Sequence, residues 1–357
     1  MQPIVTETDR QKSTATNLSS KAAQYNFPKI IMGTSSLGNL YQALDFEQKL
    51  AIVKEGVKNS NGLAFFDSAG KYGAGLALES LGKCLKVMGV EQKDILISNK
   101  LGWIRKPLIT DEPTFEPGVW KNLKFDAYQN ISYHGILECY HQGNELLGGY
   151  KAKFLSVHDP DEYLNAATDA QNRQKRFNDI LEAYRALSEL KEKGEILAVG
   201  IGSKDWQIIK EIETKVDLDW VMFANSCTIY HHPKELLSFM EYLTGKNIPI
   251  INSAVFNGGF LIGSEYFNYH PVNRKDNFDL YQWRDSFYAI CEKYKIKPAL
   301  ACVHFGLSIP GVKSIALNSS SPVRTGKNFE LSKLKIPAEF WADMKSKGLI
   351  HHQYPYL

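Results

Sequence analysis

The chain has 357 residues, 44% of them apolar and 23% charged, with a formal net charge of +3. That balance describes a globular protein; both signs of charge are interspersed, without the basic stripe that nucleic acid requires, and no apolar run approaches the ~18 residues of a membrane span. Five cysteines without CxxC spacing point to free thiols in a reducing compartment, hence a cytoplasmic location.

Residues 1–25 are polar and rich in Ser and Thr, with no apolar stretch of the kind that marks a signal peptide. They are expected to form a flexible tail, leaving 26–357 as a single domain with its own C-terminal tail. Within it, short apolar runs alternate with longer helical patterns. The strand candidates are KIIMGT from Lys29, LAFFD from Leu63, ILISNK from Ile95, FLSVHD from Phe154, ILAVGIG from Ile196, WVMFAN from Trp220, IPIINSA from Ile248 and KSIALN from Lys313. They are nearly continuous in hydrophobicity, as parallel strands buried on both faces should be. Helices are expected near Phe46, Leu76, Gly135, Asp205, Pro233 and Tyr281, after Pro322, and most clearly between Arg176 and Gly194. There Phe177, Ile180, Leu181, Tyr184, Leu187 and Leu190 share a face.

Eight strands alternating with eight helices predict an α/β fold of the (β/α)8 TIM-barrel class. The alternative, a doubly wound open sheet, usually carries GxGxxG after its first strand; GTSSLGN, Gly33 to Asn39, does not fit. Two connections are long, Leu101 to Ser132 and Phe256 to Leu280, and such loops usually carry function.

Barrel active sites lie where the strands end. Asp67 ends the second strand, in FFDSAGKYGAG, and Tyr72 follows it. Lys100 ends the third and His158 the fourth, in LSVHDPDEY. Singly, each has a plain structural explanation: a packing tyrosine, a solvated lysine, a turn-capping histidine. Jointly they make a proton-transfer site. A free phenol, with a pKa of ~10, is too weak an acid for neutral pH, and an adjacent ammonium should lower that value. Lys100 would supply the charge, Asp67 would hold Lys100, and His158 would orient the substrate oxygen.

This quartet resembles the Asp, Tyr, Lys, His tetrad of the aldo-keto reductases, nicotinamide-dependent barrels, and the resemblance runs from about Pro28 to about Pro337. It implies a hydride-transferring enzyme with Tyr72 as acid–base group. It also implies that SIALNSSSPVRTGKN, Ser314 to Asn328, holds the adenosine half of the cofactor, with Arg324 and Asn328 at the adenine and Ser319 and Ser320 near phosphate. Members that prefer NADP carry a Lys or Arg where Asn318, Ser319 and Ser320 stand, so NAD is favoured over NADP. Gly33 and Thr34 border the cofactor by the same resemblance, as do Ser203, Lys204 and Cys227. Lys204 replaces an Asn common at its position, and Cys227 replaces the aromatic that stacks on the nicotinamide; Tyr230 or Phe256 would then cover that face. No metal is implied.

LSVHDPDEY, VGIGSKDW and INSAVFNGGFLIG resemble the aldose 1-dehydrogenase branch, which includes L-fucose and L-galactose dehydrogenases. That branch oxidises the anomeric carbon of a free sugar to a lactone, with Trp103, His158 and Phe256 expected at the substrate. The alternatives are a general carbonyl reductase, a pyridoxal-type dehydrogenase, or a cofactor-binding sensor subunit like the potassium-channel beta subunits.

Overall fold

The computed structural model describes residues 26–60 and 62–357. The expected tail, 1–25, lies outside the described residues. Among the described residues twelve strands form: β1 (Ile30–Gly33), β2 (Ala64–Ala69), β3 (Ile95–Leu101), β4 (Trp103–Pro107), β5 (Phe125–Gln129), β6 (Phe154–His158), β7 (Ala198–Ser203), β8 (Trp220–Ala224), β9 (Ile250–Ser253), β10 (Tyr266–Phe267), β11 (His270–Pro271) and β12 (Val312–Leu317). Eight of them close a barrel in the order β1, β2, β3, β6, β7, β8, β9, β12, every pairing parallel. These are the eight runs expected from sequence, and the fold is the (β/α)8 barrel. Helices lie outside it. The longest, Ala170–Glu192, buries Phe177, Ile180, Tyr184, Leu187 and Leu190 along one face.

The barrel interior is filled, not hollow. Ile31, Phe65, Leu96, Phe154, Ala198, Trp220, Met222, Ile251 and Ala316 pack there, with Phe27 closing the lower end against Phe65 and Phe154, each ring 5.8 Å away. A larger apolar layer joins the sheet to its helices. With the interior packed, the open end of the barrel is the place for chemistry.

The two long connections are structured. The first carries the antiparallel hairpin β4–β5, and its intervening segment lies against the first loop through the Leu40–Trp120 bridge. The second carries the small hairpin β10–β11. Three α-helices among the described residues were not expected: Pro160–Asn165, Pro298–Ser308 and Ala338–Ser346. The C-terminal residues fold back onto the body. Tyr354 is buried and stacks on Phe305 at 4.8 Å, while the Lys345 ammonium donates to the Leu357 carbonyl at 2.5 Å.

Candidate active site

Strand register brings the quartet together. Asp67 pairs with Ser98 and Ala69 with Lys100; Leu101 pairs with Val157 and His158 with Gly202. Asp67 lies two residues before the β2 end rather than at it, while Lys100 is next to last in β3 and His158 is last in β6. The lysine stem crosses beside Gly202, where a Cβ would stand 3.3 Å from Lys100 Cδ. Its ammonium donates to Asp67 Oδ2 at 2.6 Å and to the Ser68 carbonyl at 3.3 Å, and Ser98 Oγ donates to Asp67 Oδ1 at 2.8 Å. The same ammonium lies 5.0 Å from the Tyr72 ring centroid.

Tyr72 belongs to the loop that leaves β2, and its position is set by main chain. Gly73 has φ +63°, and a Cβ there would meet the Gly38 carbonyl oxygen at 2.2 Å. Only glycine permits that approach. The phenol ring packs edge-on against His158 (5.7 Å, 83°) and tilted against Trp120 (5.8 Å). Trp120 and Phe115, both from the segment between β4 and β5, join Trp103 in an aromatic wall beside Tyr72.

The expected lowering of the phenol pKa does not occur. Desolvation raises it well above 10, and Asp67, Tyr269 and Asp159 add to the rise; Lys204 opposes them. The main reason is burial of the phenol, and Asp67, the partner of Lys100, adds to the rise. Tyr72 is therefore held protonated. His158 is buried and its pKa lies well below 6.5, through desolvation and then through Lys100 and Lys71. The imidazole is neutral near pH 7. Its Nε2 faces Asp159 Oδ2 at 3.7 Å, and its buried Nδ1 has no hydrogen-bond partner among the described residues.

Sequence reasoning missed a second charged cluster. Lys71, next to the tyrosine, pairs with Glu116 at 2.7 Å and Glu162 at 3.0 Å, and its ammonium lies 5.1 Å from the Trp103 ring centroid. Lys204 pairs with the other Glu162 oxygen and lies 3.4 Å from Asp159. Burial disfavours the Lys204 ammonium, but Asp159 and Glu162 outweigh it and raise its pKa. Lys71, Lys100 and Lys204 are thus each neutralised by a carboxylate. Glu116 and Glu162 come from distant parts of the chain, and no local motif marks them.

The other expected site residues divide. Trp103 stands at the mouth with its indole N–H buried and without a hydrogen-bond partner among the described residues; Phe256 is partly buried in the loop that follows β9. Lys204 is at the mouth, but its ammonium is committed to Glu162 and Asp159. Ser203 is fully buried, with its hydroxyl donating to the Asp205 carbonyl at 3.3 Å. Cys227 does not replace a stacking aromatic. It is wholly buried in the outer core, where desolvation raises its thiol pKa to about 12. Tyr230 is taken up by Trp283 and Phe267, at 5.0 and 5.5 Å.

At the other side of the mouth, Gly33 lies so near Asn318 that a Cβ would stand 3.2 Å from Asn318 Cβ. Thr34 spends its hydroxyl on the Asp67 carbonyl at 3.0 Å. Asn318 Oδ1 accepts from the Ser36 N–H at 3.1 Å, and Ser36 Oγ donates to the Ser319 carbonyl at 2.9 Å. Asn318 therefore clasps the last loop to the first. Ser321 caps the helix Pro322–Leu331, accepting from the Arg324 N–H at 3.4 Å. Among the described residues, Ser320 Oγ and the exposed Arg324 side chain have no hydrogen-bond partner, and Asn328 is half-buried four residues on. A helix N-terminus beside an uncommitted hydroxyl and guanidinium fits the phosphate and adenosine parts of a dinucleotide.

A parallel barrel with a buried Lys–Asp pair, a phenol and a neutral imidazole at its open end defines a class of proton-transferring barrel oxidoreductase. The chain belongs to the aldo/keto reductase family, whose model matches residues 29–348. Members use NAD(P)H. The chain is 26% identical over 331 residues to pyridoxal 4-dehydrogenase of Microbacterium luteolum, covering 89% of this chain and 93% of that protein. It is also 26% identical over 353 residues to D-threo-aldose 1-dehydrogenase of a Pseudomonas species, covering 94% and 98%. Among solved structures, the holo form of an aldo-keto reductase from Bacillus halodurans superposes with a TM-score of 0.65 at 18% identity, covering 93% of this chain and 95% of that one.

Proposed function

We propose that the protein is a cytoplasmic NAD-linked aldose dehydrogenase that oxidises the anomeric carbon of a neutral free sugar to a lactone. The observation that carries this reading is the pairing of every ammonium at the mouth. Among the described residues beside Tyr72, Lys71, Lys100 and Lys204 leave no unpaired ammonium for a substrate phosphate or carboxylate, while Glu116, Glu162 and Asp159 offer oxygens to hydroxyl groups. A hydroxyl-rich, uncharged ring suits such a lining, and the indoles of Trp103 and Trp120 suit its apolar face. The likeness to D-threo-aldose 1-dehydrogenase and to L-galactose dehydrogenase of Arabidopsis thaliana (21% identical over 319 residues) supports the substrate class.

Tyr72, as phenolate, accepts the proton of the anomeric hydroxyl. His158 donates a hydrogen bond to the same oxygen and holds it near the phenol. Lys100, fixed by Asp67, stabilises the phenolate. Bound NAD, held at the helix that starts at Pro322, supplies the hydride acceptor. A phenol held protonated by burial favours a second reading, reduction of a carbonyl compound with Tyr72 as acid. The test is nicotinamide absorbance in both directions, with NAD and NADP, against a panel of free aldoses, aldose phosphates, pyridoxal and simple aldehydes. Oxidation of an unphosphorylated aldose is expected. Turnover of pyridoxal or aldehydes alone would overturn the sugar assignment, and cofactor binding without any turnover would favour a sensor.

A further inference from the structure

The hairpin β10–β11 turns through Asn268 and Tyr269, whose φ angles are +48° and +73°. Two successive left-handed residues form the kind of turn usually filled by Asn-Gly. Asparagine tolerates the first position, but a tyrosine in the second is strained and persists only where its surroundings hold it. They do so here. Asn257 Nδ2 donates to Asn268 Oδ1 at 2.9 Å, and the Asn268 N–H donates to the Asn257 carbonyl at 3.2 Å. Tyr266 stacks on Tyr41 of the first loop, with ring centroids 5.5 Å apart and planes at 28°. Tyr41 itself has φ +59°. The hairpin thus reaches from the loop after β9 to the loop after β1.

From its tip, the Tyr269 ring stands 5.7 Å from the Lys204 ammonium. It is close enough to Tyr72, Asp159 and Lys100 for their charges to interact, yet 41% of its surface is exposed. β9 lies opposite β3 in the ring of strands, so Tyr269 faces the mouth from across the barrel, opposite the Trp103 wall. A strained, half-open phenol at this spot has no packing role that a smaller residue would not serve with less strain.

We propose that Tyr269 is a specificity-determining residue, closing the substrate pocket over Tyr72 and offering its phenol to a hydroxyl of the substrate. The proposal rests on Tyr72 being the reacting group; the hydroxyl contact also rests on the sugar reading. The experiment compares wild type with Tyr269→Gly and Tyr269→Phe. It measures thermal midpoint, NADH affinity by fluorescence, and KM and kcat for the best aldose and for a small aldehyde without hydroxyls. Tyr269→Gly relieves the turn, so its midpoint is expected to rise by about 1–2 °C while KM rises for both substrates. Tyr269→Phe is expected to keep the wild-type midpoint and NADH affinity, and to raise KM for the aldose ~5–10-fold, the loss of one hydrogen bond, with kcat and the aldehyde KM nearly unchanged. Wild-type KM values in Tyr269→Gly, or a lowered midpoint, would overturn the proposal. If the wild-type enzyme oxidises no aldose, the sugar reading and the hydroxyl contact both fail, while the aldehyde KM of Tyr269→Gly still decides whether Tyr269 closes the pocket.

Discussion

Lys100→Met isolates the electrostatic core of the site. The substitution removes an ammonium 5.0 Å from the Tyr72 ring centroid and keeps most of the stem beside Gly202. A unit charge at that distance, in an effective dielectric of ~20, interacts with the phenolate by ~3 kcal/mol, about two pH units. The loss has a second part of the same sign. Asp67 loses its 2.6 Å partner and stands uncompensated near the phenol, which raises the Tyr72 pKa further. In the oxidation direction Tyr72 must be deprotonated, so the rise of kcat/KM with pH should move up by about two units. At neutral pH the loss should be ~10²-fold, recovering in alkali. The assay is a pH profile of aldose oxidation on protein shown by circular dichroism to be folded. The double variant Asp67→Asn/Lys100→Met removes both members of the pair, so its shift should be smaller than that of Lys100→Met alone. An unchanged pH profile in a folded Lys100→Met protein would refute the role given to Lys100.

Tyr72→Phe keeps the ring contacts with His158 and Trp120 but deletes the proton-transfer group; turnover should fall at least ~10²-fold with NADH binding intact, and normal turnover would sink the assignment. The loop Asn318-Ser319-Ser320 holds no cation, so kcat/KM should be higher with NAD than NADP, and Ser320→Arg should improve NADP use through a bidentate phosphate contact. If wild type instead prefers NADP and Arg324→Ala abolishes the preference, Arg324 is the phosphate ligand. His158 has a folded pKa depressed below its unfolded value near 6.5, so the folded state binds fewer protons. The stability it contributes is complete above pH 6.5 and is lost as pH falls below that. Urea midpoints at pH 8 and pH 5 should therefore differ less in His158→Gln than in wild type; an equal difference would show that His158 is not held neutral.

How much of this could be read beforehand depended on the range of the interaction. All eight barrel strands were legible because burial on both faces writes an unbroken apolar run into the chain. The quartet was legible because register places the ends of β2, β3 and β6 side by side. The hairpin β4–β5 was not, since a segment of 17 residues, 108–124, separates its strands and no short turn announces it. The helix Pro298–Ser308 is apolar on all sides and shows no period. The Lys71–Glu116–Glu162–Lys204 cluster joins three separate loops and the helix Pro160–Asn165, so no spacing could reveal it. The lowered phenol pKa failed as an expectation because Lys100 was considered without the burial of the phenol and the field of Asp67.

The contact between Gly38 and Gly73 bears on how such a protein can diverge. Main chain touches main chain there, so the attachment of the Tyr72 loop to the loop of β1 uses no side chain that could be exchanged. The pocket aromatics, Phe115, Trp120 and Trp103 on one side and Tyr269 on the other, are by contrast side chains carried on insertions. Substitutions can therefore rewrite which molecule is recognised while the proton-transfer geometry is inherited unchanged, and a change of substrate in a descendant of this chain should be sought in the segments 103–129 and 256–271 before the strands that hold the quartet.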